Sequence, residues 1–223
     1  MAQTPRLFLG GVLACLVGIN GWFLFGQNNN SQYSIASKSK SRSGPHSPPV
    51  EDVLAGHRTL GQTIDLQSLT PVGSHHQMVG SSLPRVIMFL RHDCACGEEL
   101  AHVLEQIALL LEGKALVCAV VDEPGSGDTA LSELSKSRVP LLCDSSHAVA
   151  RRLGIPRAGF TVLTDRSGMV THLWPGVSLP MIRELAEATD PSLALDLKVR
   201  FPDLTGAPKA GCPIVARGMG EVR

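Results

Sequence analysis

The sequence predicts an α/β domain with a central mixed sheet, a late antiparallel hairpin and helices on both faces. Three observations lead there. Short apolar runs of strand length alternate with segments whose apolar residues recur at helical spacing. The early runs are apolar throughout, as strands covered on both faces must be. Near the end, two such runs flank the turn Asp165-Arg166-Ser167-Gly168, which closes a hairpin.

The elements follow in order. Residues 85–91 (RVIMFLR) make a buried strand, and residues 97–112 set Leu100, Val103, Leu104, Ile107 and Leu110 on one helical face. Residues 115–121 (ALVCAVV) make a second buried strand. Residues 128–136 start with Asp128 as N-cap and turn Leu131 and Leu134 to one side, a second helix. Residues 139–143 (VPLLC) form a third strand, after which Asp144 or Ser145 caps a helix through Leu153. Residues 160–164 (FTVLT) and 169–174 (MVTHLW) are the hairpin. Ser178 caps a last helix carrying Leu179, Ile182 and Leu185, with Pro180 in its first turn, where a missing N–H costs nothing. The order is β-α-β-α-β-α-β-β-α. Alternating units imply parallel strands joined by crossovers, and the hairpin adds an antiparallel edge.

The flanks differ in kind. Residues 7–26 (LFLGGVLACLVGINGWFLFG) carry no charge and are long enough to cross a hydrocarbon core of about 30 Å. With no small-residue cleavage site in view, residues 1–26 read as an uncleaved membrane anchor. Cys15 lies inside the run as a membrane-embedded cysteine, because Val12-Leu13-Ala14 fit a lipobox poorly. Arg6 favours a cytoplasmic N-terminus and a domain on the periplasmic side. Lys38, Lys40 and Arg42 pull the other way, but they stand about twelve or more residues past the run. Residues 27–50 are polar and rich in Ser, Asn and Pro, a flexible linker. The domain proper is 51–190. Residues 191–223, with Pro191, Pro202, Pro208 and Pro213, form an irregular tail that packs in part.

Composition removes some functions. Lys+Arg and Asp+Glu balance at 20 each, so no basic excess points to a nucleic-acid partner. At 4% aromatic residues, no stacking platform for single strands is to be expected. Six cysteines in 223 residues are too sparse for a disulfide-stapled scaffold, and two separated Cys-x-x-Cys pairs of a zinc site are absent.

The chemistry concentrates at His92-Asp93-Cys94-Ala95-Cys96-Gly97, between the strand 85–91 and the helix that follows. A helix N-terminus offers free N–H groups and the positive end of its dipole, both of which stabilise a thiolate. A thiolate attacks disulfides and peroxides, and a second cysteine two residues on can resolve the mixed disulfide. Cys94, at the exposed strand end, is expected to attack, and Cys96, nearer the helix and more buried, to resolve. Two cysteines one residue apart close a very small ring, and strain makes a disulfide easier to reduce. The pair is therefore expected to act as an oxidant or isomerase; each 30 mV of raised potential is about 1.4 kcal/mol in favour of the dithiol.

Over roughly residues 56–189 the chain resembles the thioredoxin-like redoxins, which include peroxiredoxins and membrane-anchored thiol–disulfide oxidoreductases. The resemblance rests on VIMFL, the cysteines and Glu98-Glu99-Leu100, and on Val139-Pro140-Leu141-Leu142-Cys143-Asp144 and Leu153-Gly154-Ile155. It continues through Val162-Leu163-Thr164-Asp165-Arg166-Ser167-Gly168 and Trp174-Pro175-Gly176-Val177-Ser178. It implies a thioredoxin-like fold and thiol–disulfide exchange by Cys94 and Cys96 without a cofactor. It also implies partners that are protein thiols or disulfides, or a redox donor protein. Two departures stand out. The pair is Cys-x-Cys where the family has Cys-x-x-Cys; counted back from Leu100, Cys96 matches the second cysteine and Cys94 approximates the first. Where the family places a cis-proline facing the cysteines, Gly159 stands, with Pro156 three residues earlier, which implies an open approach beside the pair.

Two other readings stay open on the residues alone. His92, Cys94 and Cys96 offer soft ligands suited to Cu(I), and a redoxin-like domain can bind partners without catalysis. Cys118, mid-strand, reads as an inert buried residue. Cys143, at a strand end, reads as core or as a third redox partner, and Cys212 either reaches the site or pairs with Cys143. His75, His76 and His172 read as loop or surface residues, and Arg157 as solvated or lining the site.

Overall fold

The computed structural model describes residues 47–73, 82–94, 96–123, 134, 136, 138–193 and 197–214. The chain divides into Met1–Lys40 and Ser41–Arg223, and all of these residues lie in the second unit. The expected anchor, Cys15, nearly all of the linker, His75 and His76 lie outside the described residues. So does the helix expected at 128–136, apart from Leu134 and Lys136, both helical. Among the described residues no helix is long and apolar enough to cross a membrane.

Six strands form one sheet among the described residues: β1 (Thr70–Val72), β2 (Arg85–Leu90), β3 (Leu116–Val121), β4 (Leu141–Cys143), β5 (Thr161–Thr164) and β6 (Val170–Trp174). Their spatial order is β1-β4-β3-β2-β5-β6. β2, β3 and β4 run parallel, Arg85 facing Leu116 and Ala119 facing Leu141. β5 lies antiparallel to β2, and β6 to β5, so the late hairpin is attached as expected. The α-helices whose bounds lie among the described residues are α1 (Val50–His57), α2 (Gly97–Leu110), α3 (Ala148–Leu153), α4 (Leu179–Thr189) and α5 (Leu197–Arg200). This mixed sheet with a late hairpin and helices on both faces is the architecture that the redoxin resemblance implied.

β2 reads RVIMFL, and all but its first residue are buried. Alternate side chains of a strand point to opposite faces, and the core divides accordingly. Val86, Met88 and Leu90 pack with Leu100, Leu104 and Ile107 of α2 and Ile182 and Leu185 of α4. Ile87 and Phe89 pack on the other side with Val149 and Leu153 of α3 and Phe160. A strand so placed can carry no polar residue, which is why its sequence does not alternate.

Local chemistry sets the element ends. Ser178 caps α4 as expected, its hydroxyl accepting from Met181 N at 3.3 Å. At α3 the residue preceding the helix is His147, in the left-handed region, while Asp144 reaches in from the turn and accepts from Ala150 N at 2.9 Å. In the hairpin turn Asp165 Oδ1 accepts from Ser167 N, Ser167 Oγ and Met169 N, and these bonds hold its carboxyl below the usual range. Gly168 takes φ +88° to close that turn.

Three parts go beyond the expectation. α1 starts inside the segment read as linker and packs on β6, so closely that a Cβ on Gly56 would meet Leu173 Cδ2 at 2.7 Å. β1, only three residues with a central Pro71, exists because β4 offers it an edge; its own sequence carries no strand period. The tail expected to be irregular is in large part packed. Leu197, Phe201 and Leu204 join the α2–α4 side of the core, and Ile214 joins the other side. The prolines there interrupt the helical period without preventing burial.

Leu104 is fully buried between sheet and helix layers. Leu104→Ala is expected to lower unfolding stability by about 2–5 kcal/mol, read as a reduced urea midpoint with an unchanged denaturant slope.

Candidate redox site

β2 is held at its end by backbone bonds to the strand entering β5: Phe89 N donates to Phe160 O at 2.9 Å and Gly159 N to Phe89 O at 2.7 Å. Beyond Leu90 the chain turns, with Asp93 at φ 53°, a left-handed position that Asp tolerates better than most residues. Cys94 O accepts from Gly97 N at 2.8 Å and Cys96 O from Leu100 N at 3.0 Å, which start α2. Cys96 is the N-cap residue of that helix. Cys94 and Cys96 are joined by a disulfide. Cys94 is 9% exposed and Cys96 3%, so the order of burial is the expected one, although both are more enclosed than a strand-end loop suggests.

A buried carboxylate that no motif marks, Asp122, organises the approach to Cys94. Asp122 follows β3 directly. Its Oδ1 accepts from His92 N at 2.9 Å and from Glu123 N at 2.9 Å, and lies 3.0 Å from His92 Nδ1. Arg91 Nε stands 3.9 Å from its other oxygen. The signal available was an Asp closing the apolar run Val120-Val121, at the carboxyl edge of parallel strands where sites gather. The hydrogen bond to Asp122 raises the His92 pKa, with smaller help from Asp93 and Glu123 against the opposing effect of burial. His92 Nδ1 is thus bound to a carboxylate, a contact that orients the ring and is compatible with Nε2 acting as a ligand.

The third sulfur at the site belongs to Cys212. The Sγ atoms of Cys94, Cys96 and Cys212 all lie within 4.8 Å of one another; in reduced form such a donor set suits a thiophilic ion. Cys212 N donates to Cys94 Sγ at 3.4 Å. Of the two fates left open for Cys212, the structure shows the first: it reaches the site as a free thiol. The tail that carries it is pinned from Lys209 to Ile214. Lys209 and Val177 exchange backbone bonds at 2.9 Å each, Gly211 N donates to Ala158 O at 2.7 Å, Ala158 N to Cys212 O at 3.0 Å, and Ile214 N to Pro156 O at 2.9 Å. Lys209 Nζ pairs with Glu99 in the first turn of α2 at 2.8 Å, and Arg91 donates to Pro213 O. Arg157, which pairs with Asp52, also donates to Gly211 O at 3.4 Å, so it holds the tail instead of facing solvent.

The tail also corrects the expectation of an open approach at Gly159. That residue has φ +83°, and a Cβ on it would meet Leu100 Cδ2 at 3.3 Å and Lys209 O at 3.4 Å. The space beside the pair is filled by the chain's own C-terminal segment.

Among the described residues, Cys118 and Cys143 stand apart from these sulfurs in character. Cys118 is fully buried and burial pushes its thiol up to about 12, as suits an inert core residue. Cys143 is buried at the end of β4, its Sγ donating to Asp122 O at 3.7 Å, and burial raises its pKa too. Its position is that of a core residue. His172 is exposed and stacks on Trp174 with ring centroids 5.5 Å apart.

No protein-family model matches the chain, and no curated protein matches it. Solved structures similar to it include a conserved uncharacterised protein from Geobacillus kaustophilus (17% identity, 72% of this chain and 94% of that one, TM-score 0.49). A thioredoxin-like protein from Porphyromonas gingivalis is 14% identical over 60% of this chain and 93% of that one, TM-score 0.46. The thioredoxin domain of a thiol–disulfide oxidoreductase from Bacteroides vulgatus is 12% identical over 59% of this chain and 98% of that one, TM-score 0.46. The fold class stands on the strand pairings above.

A folded-state histidine pKa above the unfolded value stabilises the fold below the ordinary histidine pKa of 6.5, and that contribution is lost as pH rises through the raised value. Asp122→Asn is expected to move the His92 titration down toward the ordinary value, read from imidazole C–H chemical shifts. It should also abolish the part of the wild-type stability that falls over that pH interval. An unmoved titration would mean that Asp122 does not govern the imidazole.

Proposed function

We propose that this protein is a thiol–disulfide oxidoreductase whose working pair is Cys94 and Cys96. The observation that carries the reading is the disulfide between them at the first turn of α2, beside the end of a strand buried on both faces. The helix N-terminus favours thiolate character at Cys96, and the N–H of Cys212 favours it at Cys94. In the reducing direction the Cys94 thiolate attacks a substrate disulfide. One substrate sulfur leaves as thiolate and a Cys94–substrate mixed disulfide forms. Cys96 then attacks Cys94 Sγ, releasing the second substrate thiolate and leaving the pair oxidised. In the oxidising direction the same bonds form in reverse, and the pair ends as a dithiol. The partners in this reading are protein thiols and disulfides. The wild type is expected to accelerate insulin reduction by dithiothreitol or the recovery of a scrambled disulfide protein, and Cys94→Ser to abolish both effects. A wild type inert in both assays, with no redox transition of the pair, would leave a partner-binding domain.

The reading extends to location. We propose that residues 7–26 tether the domain on the extracytoplasmic side, supported by the uncharged run, Arg6 ahead of it and the redox domain behind. Protease added to spheroplasts is expected to digest the domain; a domain that survives until the membrane is opened would overturn this.

A further inference from the structure

The segment 209–214 lies against the disulfide. It runs antiparallel to the stretch 156–158, with Arg157 bridged to Pro213, and it takes both backbone groups of Ala158. Its side toward the sulfurs is shaped for contact. A Cβ on Gly211 would lie 2.5 Å from Cys96 Sγ, 3.3 Å from Cys94 Sγ and 2.9 Å from Ala158 Cβ, so a side chain at 211 would force the segment away. Glycine allows the backbone to close to this distance. The next residue is a cysteine with a free, half-buried thiol, whereas the other free cysteines among the described residues, Cys118 and Cys143, are buried.

We infer that Cys212 is a third redox thiol, presented by the chain's own tail as a built-in substrate strand, which exchanges with the Cys94–Cys96 disulfide. The inference rests on that pair being redox-active. The Cys212 thiolate attacks Cys94 Sγ; the Cys94–Cys96 bond breaks, a Cys94–Cys212 bond forms, and Cys96 leaves as thiolate. One disulfide and one thiolate enter and one of each remain, so no outside oxidant or reductant is consumed. Because Cys212 is held by the tail's own contacts, the exchange is intramolecular and competes with thiols from solution. The tail holds a thiol against the sulfur that an incoming chain must reach.

The test uses the full chain. Reduced wild type and Cys96→Ser are oxidised with oxidised glutathione, quenched in acid, alkylated and mapped as peptides without reduction. The expected result for Cys96→Ser is a Cys94–Cys212-linked peptide in most oxidised chains, with alkylation lost at both residues together. Adding Gly211→Val to Cys96→Ser is expected to slow that linkage several-fold, because the side chain pushes the tail off the sulfurs. If Cys96→Ser instead carries glutathione on Cys94 and leaves Cys212 open to alkylation while wild type forms Cys94–Cys96, the relay is overturned and the oxidoreductase reading stands. If wild type forms no Cys94–Cys96 disulfide, that reading fails and the relay with it.

Discussion

The structure depends on the burial of β2 from both sides. A strand flanked by β3 and β5, with Val86, Met88 and Leu90 turned one way and Ile87 and Phe89 the other, needs a helical layer on each face. α2 and α4 supply one layer and α3 helps supply the other. The same constraint locates the chemistry. Backbone polar groups at the strand end must find partners before the chain can turn, so the end is tied to Phe160 and Gly159 and the turn leads directly into α2. The cysteines stand at that junction, where a rigid strand hands over to a helix N-terminus.

The carboxyl edge of the sheet is then closed by groups from distant parts of the chain. Asp122 at the end of β3 binds the loop before Cys94, and the tail binds the stretch before β5. Magnitudes say which tail contacts matter. A partly exposed ion pair such as Lys209–Glu99 is worth about 0–1 kcal/mol. A backbone hydrogen bond contributes about 0.5–1.5 kcal/mol net, and burying an isoleucine about 1.5–3 kcal/mol. Ile214 is buried and several backbone bonds run along the segment, so burial and backbone pairing hold the tail while the ion pair orients it.

The two sulfurs of the pair draw on different sources of stabilisation. Cys96 sits at the helix N-terminus, where the dipole acts, but Glu98 and Glu99 in the same turn oppose a second negative charge. Lys209 neutralises one of them, which couples the docking of the tail to the electrostatics of the pair. Cys94 lies outside the helix and takes its donor from Cys212 N. Removal of the tail would thus change the surroundings of both sulfurs as well as their exposure.

Much of this protein is legible in its residues because the information is local. An unbroken apolar run such as VIMFL, the helical spacing from Leu100 to Leu110, Ser178 ahead of its helix and the Asp165–Gly168 turn each contain their own cause within a few positions. The strand–cysteine–helix junction is local in the same sense, so Cys94 and Cys96 stand out from sequence. What lies far apart in sequence became visible only in the folded chain. β1 forms because β4 has a free edge, and α1 because β6 has an uncovered residue, Leu173. Asp122 comes beside His92, thirty residues earlier, through the parallel pairing of β2 with β3. Cys212 meets Cys94 across 118 positions because the tail pairs with the N–H and C=O of Ala158 and Ile214 has a place in the core. Residue type and spacing determined which groups can do chemistry; long-range pairing and burial decided which of them meet.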